Sequence, residues 1–102
     1  MSVVVRDVPE RQRYEAVVDG TLAGFVVYRD YRGARVFTHA QVFSAFEGRG
    51  VGSALAHGAL DDVRASGRSL VAQCSFITNY IERQPEYADL VDADLSARLT
   101  GG

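Results

Sequence analysis

The sequence predicts a single α+β domain with a mixed sheet: an antiparallel β-meander, then a β-α-β crossover that adds a parallel strand, then a C-terminal helix. Three observations predict it. Between residues 11 and 42, strand-like runs are separated by two turn signals, Asp19-Gly20 and the stretch from Asp30 to Gly33. From about Val51 to Ala65, Leu55, Ala56, Ala59, Leu60 and Val63 fall on one broad helical face. After Gly67 a short apolar run, Ser69 to Gln73, stands where a crossover helix delivers a parallel strand.

Taken in order, Arg11 to Val18 predicts the first strand and Asp19-Gly20 its hairpin turn, with the partner strand from Thr21 to about Arg29. The third strand runs from Ala34 to about Val42. In the helix that follows, Asp61, Asp62 and Arg64 point more outward, and Gly67 is placed to cap its end. A second helix is expected over Ser75 to Arg83, closed by Pro85. The core is expected within residues 10–91, with Asp92 to Gly102 as a frayed tail. There is no repeat, linker or low-complexity segment, and 102 residues with 47% apolar content suit one domain, residues 1–102.

Composition narrows the function classes. A net charge of −2 with interspersed signs makes no broad case for nucleic acid or an anionic membrane. No apolar run approaches the ~18 residues of a membrane span, and the start of the chain has no basic-then-apolar leader pattern. The expected location is therefore the cytoplasm, and the single cysteine agrees with a reducing compartment. Two histidines eighteen residues apart and one cysteine show no metal-ligand spacing, so no metal is expected. The serines lack a nucleophile-elbow context.

The most informative stretch is Phe46-Glu47-Gly48-Arg49-Gly50-Val51-Gly52-Ser53-Ala54-Leu55, where three alternate glycines end a strand pattern and open into a helical one. A helix start offers unpaired N–H groups and the positive end of the macrodipole, and glycines let a phosphate approach them closely. A P-loop needs a lysine after its last glycine, and this chain has none. A dinucleotide fold needs an acid about twenty residues on, where Ser69, Leu70 and Val71 stand. A plain loop and helix start is the bland alternative.

Glu47-Gly48-Arg49-Gly50-Val51-Gly52 resembles the Gln/Arg-x-x-Gly-x-Gly/Ala signature of the GCN5-related N-acetyltransferases at both glycines, with Glu at its first position. The stretches Phe37-Thr38-His39, Cys74-Ser75-Phe76, Tyr80-Ile81 and Pro85-Glu86-Tyr87-Ala88-Asp89-Leu90-Val91 extend the likeness. From about Tyr14 to Val91 the chain is similar to that family's miniature single-domain branch. The resemblance implies acetyl-CoA as co-substrate, its pantetheine arm in a wedge between splayed strands near Val42, Phe43 and Cys74. It also implies a cofactor loop of Glu47, Gly48, Arg49, Gly50, Val51, Gly52 and Ser53, with the pyrophosphate on the amides of Gly48 to Ser53. An amide near Val42 or Phe43 would polarise the thioester carbonyl.

For catalysis the residues offer few candidates. Where many relatives carry a glutamate on the third strand this chain has Gln41, which cannot take a proton. His39 is the nearest titratable substitute, against the plainer reading of a surface histidine. Cys74 is the first-ranked candidate, a nucleophile by resemblance, whose thiol a helix starting at Ser75 would acidify; a buried small hydrophobe is the alternative. Tyr80 is the candidate acid for the departing thiolate, against core packing with Phe76 and Tyr87. Asn79 and Arg83 are candidate cofactor contacts, and Arg49 a phosphate partner.

The reading that results is an acetyl-CoA-dependent N-acetyltransferase acting on a primary amine, either a protein or peptide lysine or a polyamine. The alternative is a CoA-binding or protein-interaction module with little turnover. The expected partners are acetyl-CoA and an unidentified amine acceptor, with no nucleic acid and no membrane, and a monomer or weak dimer is expected. So short a chain before the first strand points to an open acceptor side.

Overall fold

A computed structural model describes residues 2–100. One five-stranded sheet runs in the order β1 (Val3–Val8), β2 (Arg13–Val18), β3 (Thr21–Tyr31), β4 (Ala34–Val42), β5 (Ser69–Ala72). The first four strands are antiparallel, and α1 (Val51–Ala65) crosses over to set β5 parallel to β4. α2 (Ser75–Arg83), a 3₁₀ stretch over Pro85–Leu90 and α3 (Ala93–Thr100) complete the chain. The hairpin signals act as expected: Asp19 and Gly20 both adopt positive φ, as do Arg32 and Gly33, so both turns match the twist of their strands.

Two corrections concern the ends of the domain. The core does not start near residue 10, because Val3–Val8 form a strand paired from Val3↔Val18 to Val8↔Arg13. Valines in succession show no period-two alternation, so only the pairing identifies the strand. Gly58 admits this strand beneath α1: a Cβ there would lie 2.8 Å from a Val5 methyl. The frayed tail is corrected too. Residues 93–100 are helical, with the Leu95 N–H donating to the Asp92 carboxylate at 2.9 Å as a helix cap. Leu95 is buried against Ala34, Val36 and Val71; Gly101 and Gly102 lie outside the described residues.

The sheet therefore has two differently covered faces. α1 and α2 bury Val26, Tyr28, Phe37, Leu55, Leu60 and Ile77 on one, while α3 covers only the β4 start and β5 on the other. A bulge decides which β4 residues face which way: Tyr28 pairs with Phe37 but Val27 with His39, leaving Thr38 as the extra residue. Ala40 and Val42 consequently join the helix-side core. His39 turns to the other face, where its ring meets Phe25.

At the far end of α1 lies a buried polar network around Arg35, which is 5% exposed. Its guanidinium donates to both Asp30 carboxylate oxygens (2.8 and 3.0 Å) and to the Tyr14 hydroxyl (2.7 Å), and stacks 3.9 Å from the Tyr28 ring centre. Tyr14 donates to Asp62 at 2.6 Å and Tyr28 to Asp7 at 2.5 Å. The Arg35 hydrogen bonds hold the Asp30 carboxyl below its usual range. At Glu15 burial works the other way, but the hydrogen bonds and charges of Arg13 and Arg11 outweigh it and lower that carboxyl as well. A depressed folded-state pKa contributes stability that is complete above the unfolded value and is lost as pH falls through the folded one. Urea midpoints should thus stay level from neutral pH to about pH 5 and fall below about pH 4. A midpoint that rose on acidification would contradict both assignments.

Candidate active site

β4 and β5 separate where the chain needs room. Their pairing covers only Ala34↔Ser69 to Phe37↔Ala72, and the last bond is donated by the Gln73 N–H to the Phe37 carbonyl at 2.8 Å. β4 runs on to Val42, whereas the segment after β5 turns away at Cys74, the extended N-cap of α2. The edge of β4 over residues 38–42 therefore faces a cleft instead of a strand. The Phe43 N–H donates to the Ala23 carbonyl at 2.9 Å, so it is committed to β3. Amides of an extended strand alternate between its edges, and Gly24↔Val42 is the neighbouring pair in this register. Of the two amides expected to polarise a carbonyl, only Val42 N–H is turned to the cleft; the Phe43 amide is corrected out of that role.

The glycine loop closes one end of this cleft. Gly48 and Gly50 hold φ of 76° and 77°, and a Cβ on either would meet nothing within 4 Å, so open space lies above the loop. A Gly52 Cβ would sit 3.2 Å from the Phe76 ring and 3.7 Å from a Val42 methyl. The α1 start, the end of β4 and the α2 start thus converge on one point. α1 begins with no side-chain cap and no acid in its first turn, which keeps its positive end available to an anion. Arg49 is exposed, its guanidinium 5.9 Å from the Phe46 ring centre, and Glu47 and Ser53 are exposed beside it. The donor set fits a pyrophosphate.

Residues 13–90 match the sequence profile of the GCN5-related N-acetyltransferases. The chain belongs to this family. A solved structure, the NMR solution structure of a GCN5-like, provisionally assigned N-acetyltransferase from Staphylococcus aureus, superimposes with a TM-score of 0.67 at 19% identity, covering 87% of each chain. At that identity the likeness establishes the fold. No curated protein matches the sequence at a significant level. Among the described residues no helix is long and apolar enough to cross a membrane.

Family membership supports acetyltransferase activity in general, and the geometry sorts the individual candidates. Cys74 lies at the α2 N-terminus, half-buried, but the expected acidification does not follow. Burial pushes its thiol up, against the smaller lowering by the amides of Ile77, Cys74 and Phe76. No histidine or carboxylate hydrogen-bonds to it among the described residues. Tyr80 packs into the core with its ring 5.9 Å from that of Tyr87. Burial, then the charges of Glu86 and Asp61, raise its hydroxyl. These neighbours belong to the far turns of α1 and the Pro85–Leu90 stretch, so Tyr80 is gathered with the structural cluster and not with the glycine loop. Asn79 and Arg83, four residues apart, share the exposed side of α2, with Arg83 5.9 Å from the Tyr80 ring centre.

His39 is exposed beside the splayed edge, on the face opposite α1. Gln41 shares that face, in register with Phe25. Two residues escaped the sequence reading. Phe76, the second residue of α2 and expected only as a packing partner of Tyr80, has its ring against Gly52 at the α1 start. Glu15, 3% exposed on the outer face, was detectable from the two-residue spacing that puts Arg13 and Glu15 on one side of β2, while Arg11, expected on the same strand, reaches Glu15 from a 3₁₀ turn over Pro9–Arg11.

Proposed function

We propose that this protein transfers the acetyl group of acetyl-CoA to a primary amine. The single observation that carries the reading is the convergence of an uncapped helix start with open space above Gly48 and Gly50, the unpaired end of β4 at Val42 and the α2 start at Phe76, both packed against Gly52. The co-substrate supplies an activated thioester carbonyl. The amides of Val51, Gly52 and Ser53 would hold its pyrophosphate, with Arg49 as counter-charge. Val42 N–H would donate to the carbonyl oxygen as charge develops there, an interaction worth about 3 kcal/mol where single donors have been removed from other enzymes. The amine nitrogen bonds to the carbonyl carbon, the carbon–sulfur bond breaks, and the amine's proton reaches the departing sulfur through water or His39. Glu15 is a poor proton acceptor, because the hydrogen bonds and charges of Arg13 and Arg11 lower its carboxyl and leave the carboxylate a weak base.

A raised thiol without a neighbouring base supports direct attack by the amine, with Cys74 lining the cleft. Mass spectrometry of the protein incubated with labelled acetyl-CoA and a lysine peptide tests this. The chain contains no lysine to compete for label. The expected result is acetylated peptide, no acetyl on Cys74, and turnover by Cys74→Ala within about threefold of the unaltered protein. A labelled Cys74 together with a Cys74→Ala variant that folds but has lost its activity would restore the covalent route. Binding without turnover is the second reading. It rests on Gln41 and the clamped Glu15, which leave β2 to β4 without a free carboxylate base on this face, and its signature is CoA binding with no product from any amine.

A further inference from the structure

The three glycines of the loop stand there for two different reasons. Gly48 and Gly50 hold φ of 76° and 77° with open space above them, so the backbone conformation demands them. Gly52 is the second residue of α1 and has no positive φ, a backbone that alanine adopts and that a helix favours. Its reason is room. A Cβ at Gly52 would stand 3.2 and 3.7 Å from two atoms of the Phe76 ring, and the shorter distance is tighter than side chains ordinarily pack. The family signature accepts glycine or alanine at this position, and in this chain the ring already fills the place of the methyl group.

The same contact continues through Val42. One of its methyls lies 3.7 Å from the Gly52 Cβ position and 3.4 Å from that of Gly24, its partner in the β3–β4 register. Gly24 also lacks a positive φ, and a Cβ there would lie 2.7 Å from the Gln41 carbonyl oxygen. Close approach to backbone therefore seats the end of β4 on β3. Phe76 reaches Gly52 from the second position of α2, beside the fully buried Ile77, and packs with Val42 against the helix-side core. Gly24, Val42, Gly52 and Phe76 make one line of contact from β3 to α2.

Resting on the acetyl-transfer reading, we propose that Phe76 is a positioning residue for the co-substrate: its ring, seated where the Gly52 Cβ would be, sets the distance between the α1 amides and Val42 N–H. These two anchors hold opposite parts of one molecule, the pyrophosphate and the thioester carbonyl, so their separation has to match the length of the arm between them. A side chain at Gly52 pushes the ring and the helix start apart by a few tenths of an ångström. A ligand held at one anchor follows that shift, whereas a ligand held at both is strained by it. Phe76 acts here through Gly52.

Calorimetry with two ligands tests this on Gly52→Ala, Phe76→Leu and the double variant. ADP carries a pyrophosphate without the arm, and acetyl-CoA carries both. Gly52→Ala is expected to weaken acetyl-CoA about tenfold and ADP by less than about threefold. On the Phe76→Leu background, where no ring stands against the helix start, the same alanine should cost acetyl-CoA less than about threefold. Equal losses for the two ligands, or an alanine that costs acetyl-CoA as much on either background, overturn the proposal. If Gly52→Ala does not fold, Phe76→Leu alone reads the contrast, with acetyl-CoA weakened about fivefold and ADP by less than about twofold. Urea midpoints give a readout free of ligand. A helix favours alanine over glycine, so Gly52→Ala should lower the midpoint beside Phe76 and raise it on the Phe76→Leu background. A midpoint that moves the same way on both backgrounds overturns the contact. If the unaltered protein binds neither ligand, the acetyl-transfer reading is what fails, and the midpoints alone uphold or overturn the role of the ring.

Discussion

Gly50→Asp is expected to weaken CoA binding at least about a hundredfold, or about 2.7 kcal/mol, by calorimetry, while circular dichroism shows a folded protein. The carboxylate would stand at the α1 start, in the open space above the loop that the pyrophosphate is proposed to occupy. There it repels the ligand and takes up the positive end of the helix for itself. The φ of 77° disfavours any side chain, so Gly50→Asn is the control: similar in shape, also tolerant of the left-handed region, and uncharged. Asparagine should cost binding distinctly less than aspartate. Equal losses would mean that shape alone matters, and unchanged affinity in a folded aspartate variant would remove the site from the loop.

Arg35→Ala should destabilise the fold by about 3–5 kcal/mol, the usual consequence of removing one partner from a buried ion pair. Asp30 would lose a bidentate partner, Tyr14 a donor and the Tyr28 ring its stacked cation. The carboxylates of Asp7 and Asp62, 3.5 and 3.7 Å from the same guanidinium, would then repel Asp30 with less compensation. Domains of this size have total stabilities of about 5–15 kcal/mol, so the variant should approach unfolding. Urea denaturation with an unchanged slope is the measurement. A loss under about 1 kcal/mol would place the network with surface ion pairs.

Where local chemistry suffices, the sequence was legible. Asp19-Gly20 specifies a hairpin turn because few residue pairs accept positive φ twice, and the structure has that turn. α1 and α2 occupy the expected spans Val51–Ala65 and Ser75–Arg83, since apolar periodicity, a glycine before the first and a proline after the second are all local signals. The glycine loop and its resemblance were likewise readable, as glycine spacing reports backbone needs directly.

What escaped depended on distant partners. Val3–Val8 becomes a strand through Val18 and its neighbours and through the room left at Gly58. α3 carried a local cap signal in Asp92, but eight residues make a marginal helix until Leu95 finds Ala34, Val36 and Val71. The acidification expected for Cys74 came from counting helix amides without the burial that opposes them, and burial is a property of the packed whole.

By itself, the sequence determined the fold class, the family likeness and the glycine loop, all set by residues near one another in the chain. Only the tertiary structure decided which face each β4 residue takes, because one extra residue at Thr38 inverts the alternation and puts His39 and Gln41 beside Phe25 and Glu15. A bulge is fixed by the partner strand's register, and no single strand's sequence contains it.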